Sequence, residues 1–275
     1  HIGFNEPFSS LSSRTHVGYL TGTTRQDNAR FFDGDIDKVP EKFVVIGAGA
    51  IGLEFADVYS SLGSEVTVVE LLDQIAAAAD ADAAKELRKA LEKRGIRILT
   101  GTKVLSQKKG KKGTEVEVEA KDGTKETLVA DRVLVAVGRR PNGGNLGLES
   151  AGVQVDERGF VTVVNDHMQT SAPHIYAIGD VARAPLLAHK AMKEGLVAAE
   201  HAAGKPTAYD TVVPSVIYTT PELASVGMTE AEATEAGYEL RIGRFPLVAS
   251  GRASTLGVDS GMIKLIGDAE TDLLL

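Results

Sequence analysis

The chain has 275 residues, 43% of them hydrophobic and 25% charged, with a formal net charge of −8. That is enough chain for one large domain or two to three smaller ones. The acidic balance, without a long basic stripe, argues against nucleic acid as a partner. With no cysteine in the sequence, structural disulfides, thiolate metal sites and a cysteine nucleophile are excluded for this chain, and no metal site is expected.

No apolar run reaches membrane-spanning length and no N-terminal stretch has signal-peptide organisation, so the expectation is a cytoplasmic protein with no membrane partner. Residues 1–38 read mostly as loop, with Val17-Gly18-Tyr19-Leu20 as a candidate short strand. Pro40 breaks any continuation of this segment toward the C-terminus. Then comes Phe43-Val44-Val45-Ile46-Gly47-Ala48-Gly49-Ala50-Ile51-Gly52-Leu53-Glu54, a β-branched run leading into G-x-G-x-x-G and a helical pattern. Gly47 serves the tight turn, Gly49 lets the backbone approach a pyrophosphate, and Gly52 lets the helix lie close to the strand. The helix N-terminus, with Ala48, Ala50 and Ile51 beside the glycines, offers N–H groups and a positive dipole end to phosphates. About twenty residues on, Glu65-Val66-Thr67-Val68-Val69-Glu70 reads as a second strand ending in an acid. A carboxylate there accepts hydrogen bonds from ribose hydroxyls and repels a 2′-phosphate. Leu71-Leu72-Asp73-Gln74 add no cation, which favours NAD over NADP.

Helices are predicted over 50–62, stopped by Gly63, and over 80–94, stopped by Gly95. Residues 96–99 read as strand. The alternation over 114–120, the turn signal Asp122-Gly123 and the run 126–129 predict a β-hairpin. Lys108-Lys109-Gly110-Lys111-Lys112-Gly113 reads as a solvated turn. Residues 132–137 are again strand-like, so an α/β unit with a parallel sheet and an antiparallel insertion is expected to close near 138–142. Beyond it, 153–155 and 160–163 look extended. Ile175-Tyr176-Ala177-Ile178-Gly179-Asp180 reads as a short buried strand ending in Gly-Asp, followed by a helix over 187–203. After Gly204 and Pro206 the pattern changes to a strand over 212–218, a helix over 230–236, a strand over 238–245 and a hairpin from 262 onward. That block reads as a separate α+β module. The sequence stops inside an apolar strand, so it is expected to be a fragment of a longer chain.

These motifs, in this order, give a family resemblance. Gly47-x-Gly49-x-x-Gly52-Leu53-Glu54, Val137-Gly138-Arg139-Arg140-Pro141-Asn142, Thr170-Ser171 leading to Tyr176-Ala177-Ile178-Gly179-Asp180, Leu187-Ala188-His189-Lys190-Ala191 and Tyr218-Thr219-x-Pro221-Glu222 resemble a pyridine-nucleotide disulfide oxidoreductase over roughly residues 38–275. Ser250-Gly251-Arg252-Ala253 makes the resemblance strongest to the lipoamide-oxidising branch. The resemblance implies a Rossmann-like NAD-binding domain at 39–145 with the antiparallel insertion. It implies one segment of an FAD-binding domain at 146–208, a remnant of that domain at 1–38, and the start of an α+β interface domain at 209–275. It implies that Glu54 lies near the nicotinamide, Val104 near the adenine, and that Gly138 contacts NAD. Asp180 would hydrogen-bond the ribityl chain of FAD, and Leu186, Leu187, Ala188 and His189 would line the flavin. A homodimer is implied, with a 2-oxo acid dehydrogenase complex as a further partner.

Three parts of the family pattern are not in this sequence: the first G-x-G-x-x-G, the redox cysteine pair and the C-terminal His-Glu pair. The expectations are therefore an NAD-linked flavoprotein oxidising dihydrolipoamide, with catalytic residues outside these 275, or an NAD-binding module that catalyses nothing. A third is an NADH-dependent flavoprotein without a redox disulfide.

Overall fold

The computed structural model describes residues 39–144 and 146–275, so what is expected of 1–38 lies outside the described residues. The described chain forms two contact-dense units, one from residues 39–138 with 216–275, the other from 139–215.

The first unit is built on a parallel sheet. Strand β1 (Lys42–Ile46) leads through the glycine turn into α1 (Ala50–Ser61), and β2 (Glu65–Val69) comes next. After α2 (Ala81–Lys93) and β3 (Arg97–Leu99), β7 (Arg132–Val135) completes the sheet in the order β3-β2-β1-β7, every pair parallel. Gly63 and Gly95, at φ of 101° and 92°, end the two helices in the left-handed conformation that glycine adopts without steric cost. Asp80 caps α2 by accepting from the Asp82 N–H. The near-continuous apolar run of β1 reflects burial on both faces. Phe43 and Val45 point into a cluster with Leu53, Ala56, Leu87 and Leu91 of the helices. Val44 points the other way, into a cluster with Val116, Val118 and Leu128.

That second face is covered by an antiparallel meander of three strands, β4 (Thr102–Gly110), β5 (Gly113–Ala120) and β6 (Lys125–Ala130). The expected hairpin is β5–β6. Strand β4 is an addition to it, and the turn read at 108–113 is shorter, because Lys108 and Lys109 lie in β4 paired with Glu115 and Thr114. Most of β4 is exposed on both sides, so its sequence carries no period-2 signal. The register shifts between Val104 and Ser106, a bulge that lets Val104 turn toward the core while the outer part of the strand stays in solvent.

The C-terminal part of this unit contains β8 (Ser215–Ile217) paired with β9 (Leu223–Ser225), then α4 (Glu230–Glu235), then β10 (Leu240–Pro246), α5 (Gly251–Thr255) and β11 (Met262–Asp268). The strand expected over 212–218 is only three residues long, since Pro214 has no N–H to give a ladder. Thr229 and Glu232 form a reciprocal capping box on α4. β10 and β11 pair antiparallel, Ile242 opposite Ile266. Ile217 and Leu223 bury in the same cluster as Phe43 and Leu53, and an ionic knot adds to this apolar contact. Lys264 on β11 is bonded to Asp80 at 2.7 Å, Asp82 at 2.9 Å and Glu230 at 2.6 Å. Arg244 on β10 donates to Asp82 at 2.7 Å and Glu230 at 3.2 Å.

The second unit has a small core of Val153, Val161, Ala172, Ala177 and Ala182 and one long helix, α3 (Ala188–Ala202). The extended stretches meet as isolated bridges, Val155 with Val161, Val163 with Thr170 and Gln169 with Tyr176. The buried strand expected over 175–180 does not form. Ile178 is 40% exposed, and a 3-10 turn spans Gly179–Val181. Gly179, at φ of 72°, takes the chain out of the extended conformation, and its N–H goes to a side chain instead of a neighbouring strand.

Candidate functional site

The glycine loop sits at the carboxyl ends of β1 and β7. Its first glycine is at φ of 102°, and a Cβ there would stand 2.5 Å from the Ala136 carbonyl oxygen. At Gly52 a Cβ would lie 1.9 Å from the Gly47 carbonyl oxygen, so α1 can approach the strand only through glycine. Gly49 differs: nothing among the described residues stands within 4 Å of its Cβ position. Two glycines are thus required by the protein's own packing, while the third faces open space together with exposed Ala50 and half-buried Ile51. Gly49 caps α1 without a side-chain hydrogen bond among the described residues, so the first-turn N–H groups point outward. The loop is anchored behind by the Gly47 N–H to the Val69 carbonyl at 2.8 Å.

Glu70 ends β2 beside this loop. Its carboxylate accepts from the Ala48 N–H at 2.7 Å and from the Leu72 N–H at 2.9 Å. Two backbone donors fix the half-buried carboxylate next to the glycines. The fold also brings Lys121 of the β5–β6 turn to this region, held by Asp73 at 2.5 Å, a cation that local sequence could not reveal. A concave backbone at Gly49, a free helix start and a fixed carboxylate at the second strand fit the pyrophosphate and adenosine ribose of a dinucleotide.

Glu54, one turn into α1, accepts from the Tyr218 N–H at 3.0 Å. Asp57, on the same helix, pairs with Arg94, which also donates to the Thr220 carbonyl at 2.7 Å. Helix α1 is therefore tied twice to the segment between β8 and β9, a contact that no local sequence signal marks. Val104 packs half-buried against the core cluster joining sheet and meander. Gly138, at φ of 132°, is exposed just beyond β7.

In the second unit, Asp180 lies on the turn after Gly179 and is half-exposed. Arg139 donates to it at 2.9 Å and to the Leu186 carbonyl, joining the turn to the start of α3. Leu186 and Leu187 are half-buried, Ala188 and His189 exposed. His189 Nε2 donates to the Pro214 carbonyl at 2.8 Å. Arg139 is legible in the sequence only as part of Val137-Gly138-Arg139-Arg140-Pro141-Asn142, where the glycine alone carries an expected role. The oriented carboxylate and the adjoining apolar pair fit a polyol chain attached to a planar ring. Gly47 to Gly52, Glu54, Glu70, Val104 and Gly138 belong to the first unit. Asp180 and Leu186 to His189 belong to the second.

Comparison with known proteins matches residues 18–195 to "Pyridine nucleotide-disulphide oxidoreductase" and residues 213–275 to the dimerisation domain of the same name. The chain belongs to the pyridine nucleotide-disulphide oxidoreductase family. Members of the family use FAD and NAD. The chain is 59% identical over 238 residues to the dihydrolipoyl dehydrogenase of Thermus scotoductus, covering 86% of this chain and 51% of that one. To the Cupriavidus necator enzyme of the same name it is 48% identical, covering 86% and 50%. Among solved structures it resembles LpdA from Mycobacterium tuberculosis, with a TM-score of 0.78, 30% identity and coverage of 96% and 56%. It also resembles the HOCl-induced flavoprotein disulfide reductase RclA from Escherichia coli, with a TM-score of 0.76, 29% identity and coverage of 88% and 55%. This family member spans about half the length of the curated relatives it matches. No helix among its described residues is long and apolar enough to cross a membrane.

Proposed function

We propose that this chain is the NAD-binding part of a dihydrolipoamide dehydrogenase, together with one side of its flavin site and part of its dimer-forming module. The observation that carries the nucleotide reading is the contrast among the three glycines. Gly47 and Gly52 are filled by the protein's own backbone, whereas Gly49 is left open at the start of α1 beside the carboxylate of Glu70. The Gly47–Gly52 loop, with Ala48, Ala50 and Ile51, would hold the pyrophosphate of NAD, and Glu70 the adenosine ribose. Val104 would lie toward the adenine, Glu54 toward the nicotinamide, and Gly138 would contact NAD.

Asp180 would hold the ribityl hydroxyls of FAD, and Leu186 to His189 would line its ring. Bound flavin would pass electrons between a dithiol and the nicotinamide. The dithiol must come from residues other than these, because this chain contains no cysteine. The proposed division is 39–145 for NAD, 146–208 for FAD and 209–275 for the dimer. The dimerisation-domain match and similarity to dihydrolipoyl dehydrogenases support a homodimer; a cytoplasmic setting and a 2-oxo acid dehydrogenase complex as the larger partner are part of the same proposal. Relatives named as mitochondrial, such as that of Caenorhabditis elegans, make an organelle the alternative location.

The lack of cysteine favours a second reading for the polypeptide taken by itself: an NAD-binding module without turnover. One experiment tests both. The 275-residue chain is titrated with NADH in a calorimeter and then assayed with dihydrolipoamide and NAD. Binding without turnover is expected. Failure to bind NADH sinks the nucleotide reading, and turnover sinks the assignment of the dithiol to other residues.

A further inference from the structure

Helix α3 buries two opposite charges one turn apart. The side chain of Glu194 is 0% exposed and that of Lys190 1%, and they pair at 3.2 Å. Moving both from water is costly, and the mutual attraction of an ion pair offsets that cost only when further hydrogen bonds satisfy the remaining atoms. Here every further bond runs to one short segment. Glu194 Oε2 accepts from the Gly179 N–H at 2.7 Å, and Oε1 accepts from Arg183 Nε at 2.9 Å. Lys190 Nζ donates to the Gly179 carbonyl at 3.3 Å and to the Arg183 carbonyl. Both backbone groups of Gly179 and both ends of Arg183 are therefore gripped by α3. The ring of Tyr209 lies 4.8 Å from the Arg183 guanidinium and holds it from outside. Asp180 stands inside the gripped segment; its carboxylate is held by Arg139 at 2.9 Å, and the grip reaches it only through the backbone.

We infer that Lys190 and Glu194 are positioning residues for Asp180: a buried ion pair that fixes the Gly179–Arg183 turn and so aims the Asp180 carboxylate. The inference rests on the proposed flavin-side role of Asp180 and deepens it. A satisfied apolar pair would pack as well and would leave the turn free to move, whereas the charged pair specifies one backbone conformation. The turn needs such a device because its backbone has no strand ladder to fix it beyond the single bond from the Val161 N–H to the Val181 carbonyl at 2.8 Å, and Gly179 alone would leave many conformations open.

The test uses the 275-residue chain with Lys190→Met, Glu194→Gln, Asp180→Asn and the Glu194→Gln/Asp180→Asn double variant. Amide hydrogen exchange is followed at Gly179 and at Val197 and Ala198 of α3. Exchange at Gly179 is expected to quicken about tenfold or more in Lys190→Met and Glu194→Gln, with Val197 and Ala198 unchanged. Unchanged exchange at Gly179, or an equal rise along α3, overturns the inference and leaves a merely structural pair. In the second arm, FAD is titrated by flavin fluorescence. Glu194→Gln and Asp180→Asn are each expected to weaken binding, and the double variant to bind no worse than Asp180→Asn, as two residues acting through one contact require. Additive losses overturn the coupling. If the unsubstituted chain binds no FAD, the flavin reading of Asp180 fails for this chain, and the exchange arm alone decides on the grip.

Discussion

Glu70 and the glycines make separable predictions at the scale of single residues. The Glu70 carboxylate is fixed by two backbone donors, no Arg or Lys lies in 71–74, and the cation that the fold brings here, Lys121, is already paired with Asp73. NADH is therefore expected to bind at least about tenfold more tightly than NADPH, a difference of about 1.4 kcal/mol. Glu70→Ala should narrow that gap in a calorimetric titration, and equal affinities for the unsubstituted chain would refute the choice. The glycines divide by what a methyl group would meet. Gly52→Ala would drive a Cβ into the Gly47 carbonyl and should cost about 1–3 kcal/mol of stability, as forced overpacking does. Gly49→Ala meets no protein atom nearby. It should change stability by no more than about 1 kcal/mol, the range for a helix cap, while weakening NADH at least about tenfold. Chemical denaturation and titration of the two variants check this, and a reversed pattern would overturn the division of labour. These residues are legible in the sequence because their causes are local: a turn, a helix start, a strand-end acid. Glu194 and Lys190 are not, since a Glu and a Lys four apart on a helix read as solvent-facing, and only the fold puts them inside.

At the scale of elements, the joint between α2 and the C-terminal strands is electrostatic and titratable. Burial raises the Asp80 carboxyl, but hydrogen bonds from Lys264 and from the Glu230 and Asp82 N–H groups pull it further down, below the usual carboxylate range. Hydrogen bonds from Lys264 and Arg244 lower Asp82 as well. Burial alone would lower Lys264, yet its bonds to Asp80, Glu230 and Asp82 hold it above the usual lysine value. For depressed carboxyls, the stabilisation is present above their unfolded value, about 4, and is lost as pH falls through the folded values. For the raised lysine it is complete below about 10.4 and is lost only at higher pH. The unit is expected to keep this contribution through neutrality and lose it below about pH 4. Lys264→Met should cost on the order of 2 kcal/mol at pH 7, less than a fully buried pair because the carboxylates are partly exposed. The loss should be smaller at pH 3, below the unfolded value of about 4, where titration has begun to remove the stabilisation. Urea denaturation at both pH values measures it, and an equal loss at both would count against an ionic origin. Of the elements themselves, β1, β2 and the helices α1 and α2 follow from apolar period and glycine stops. Strand β4 and the short β9 do not, since neither carries a face pattern long enough to read.

For the molecule as a whole, Phe245, Ile263 and Leu265 on β10 and β11, together with Leu273 and Leu274, are largely exposed. Contiguous apolar surface of this kind drives association, so the 275-residue chain should self-associate at micromolar concentration. Light scattering tests this, and a sharp monomer that binds no hydrophobic dye would count against it. The places where the pattern of strands and helices changes, near 138–142 and after Gly204, are readable. That Ile217 and Leu223 share a core with Phe43, and that Asp80 meets Lys264 across 184 positions, is not, because nothing local marks a contact between distant segments. The ionic knot therefore also has a history. Its acids on α2 leave the ribosome about 150 residues before Glu230 joins them and 184 before Lys264. Closing so long a loop is slow compared with local folding. During synthesis the glycine loop and its sheet can assemble first, with Asp80 and Asp82 still in water. When Glu230 arrives it adds a third negative charge, and only β10 and β11 bring the cations that hold the three together. Docking of the C-terminal strands is thus timed to the emergence of Arg244 and Lys264, and a nascent chain stopped before β10 would carry α4 as a repelled neighbour.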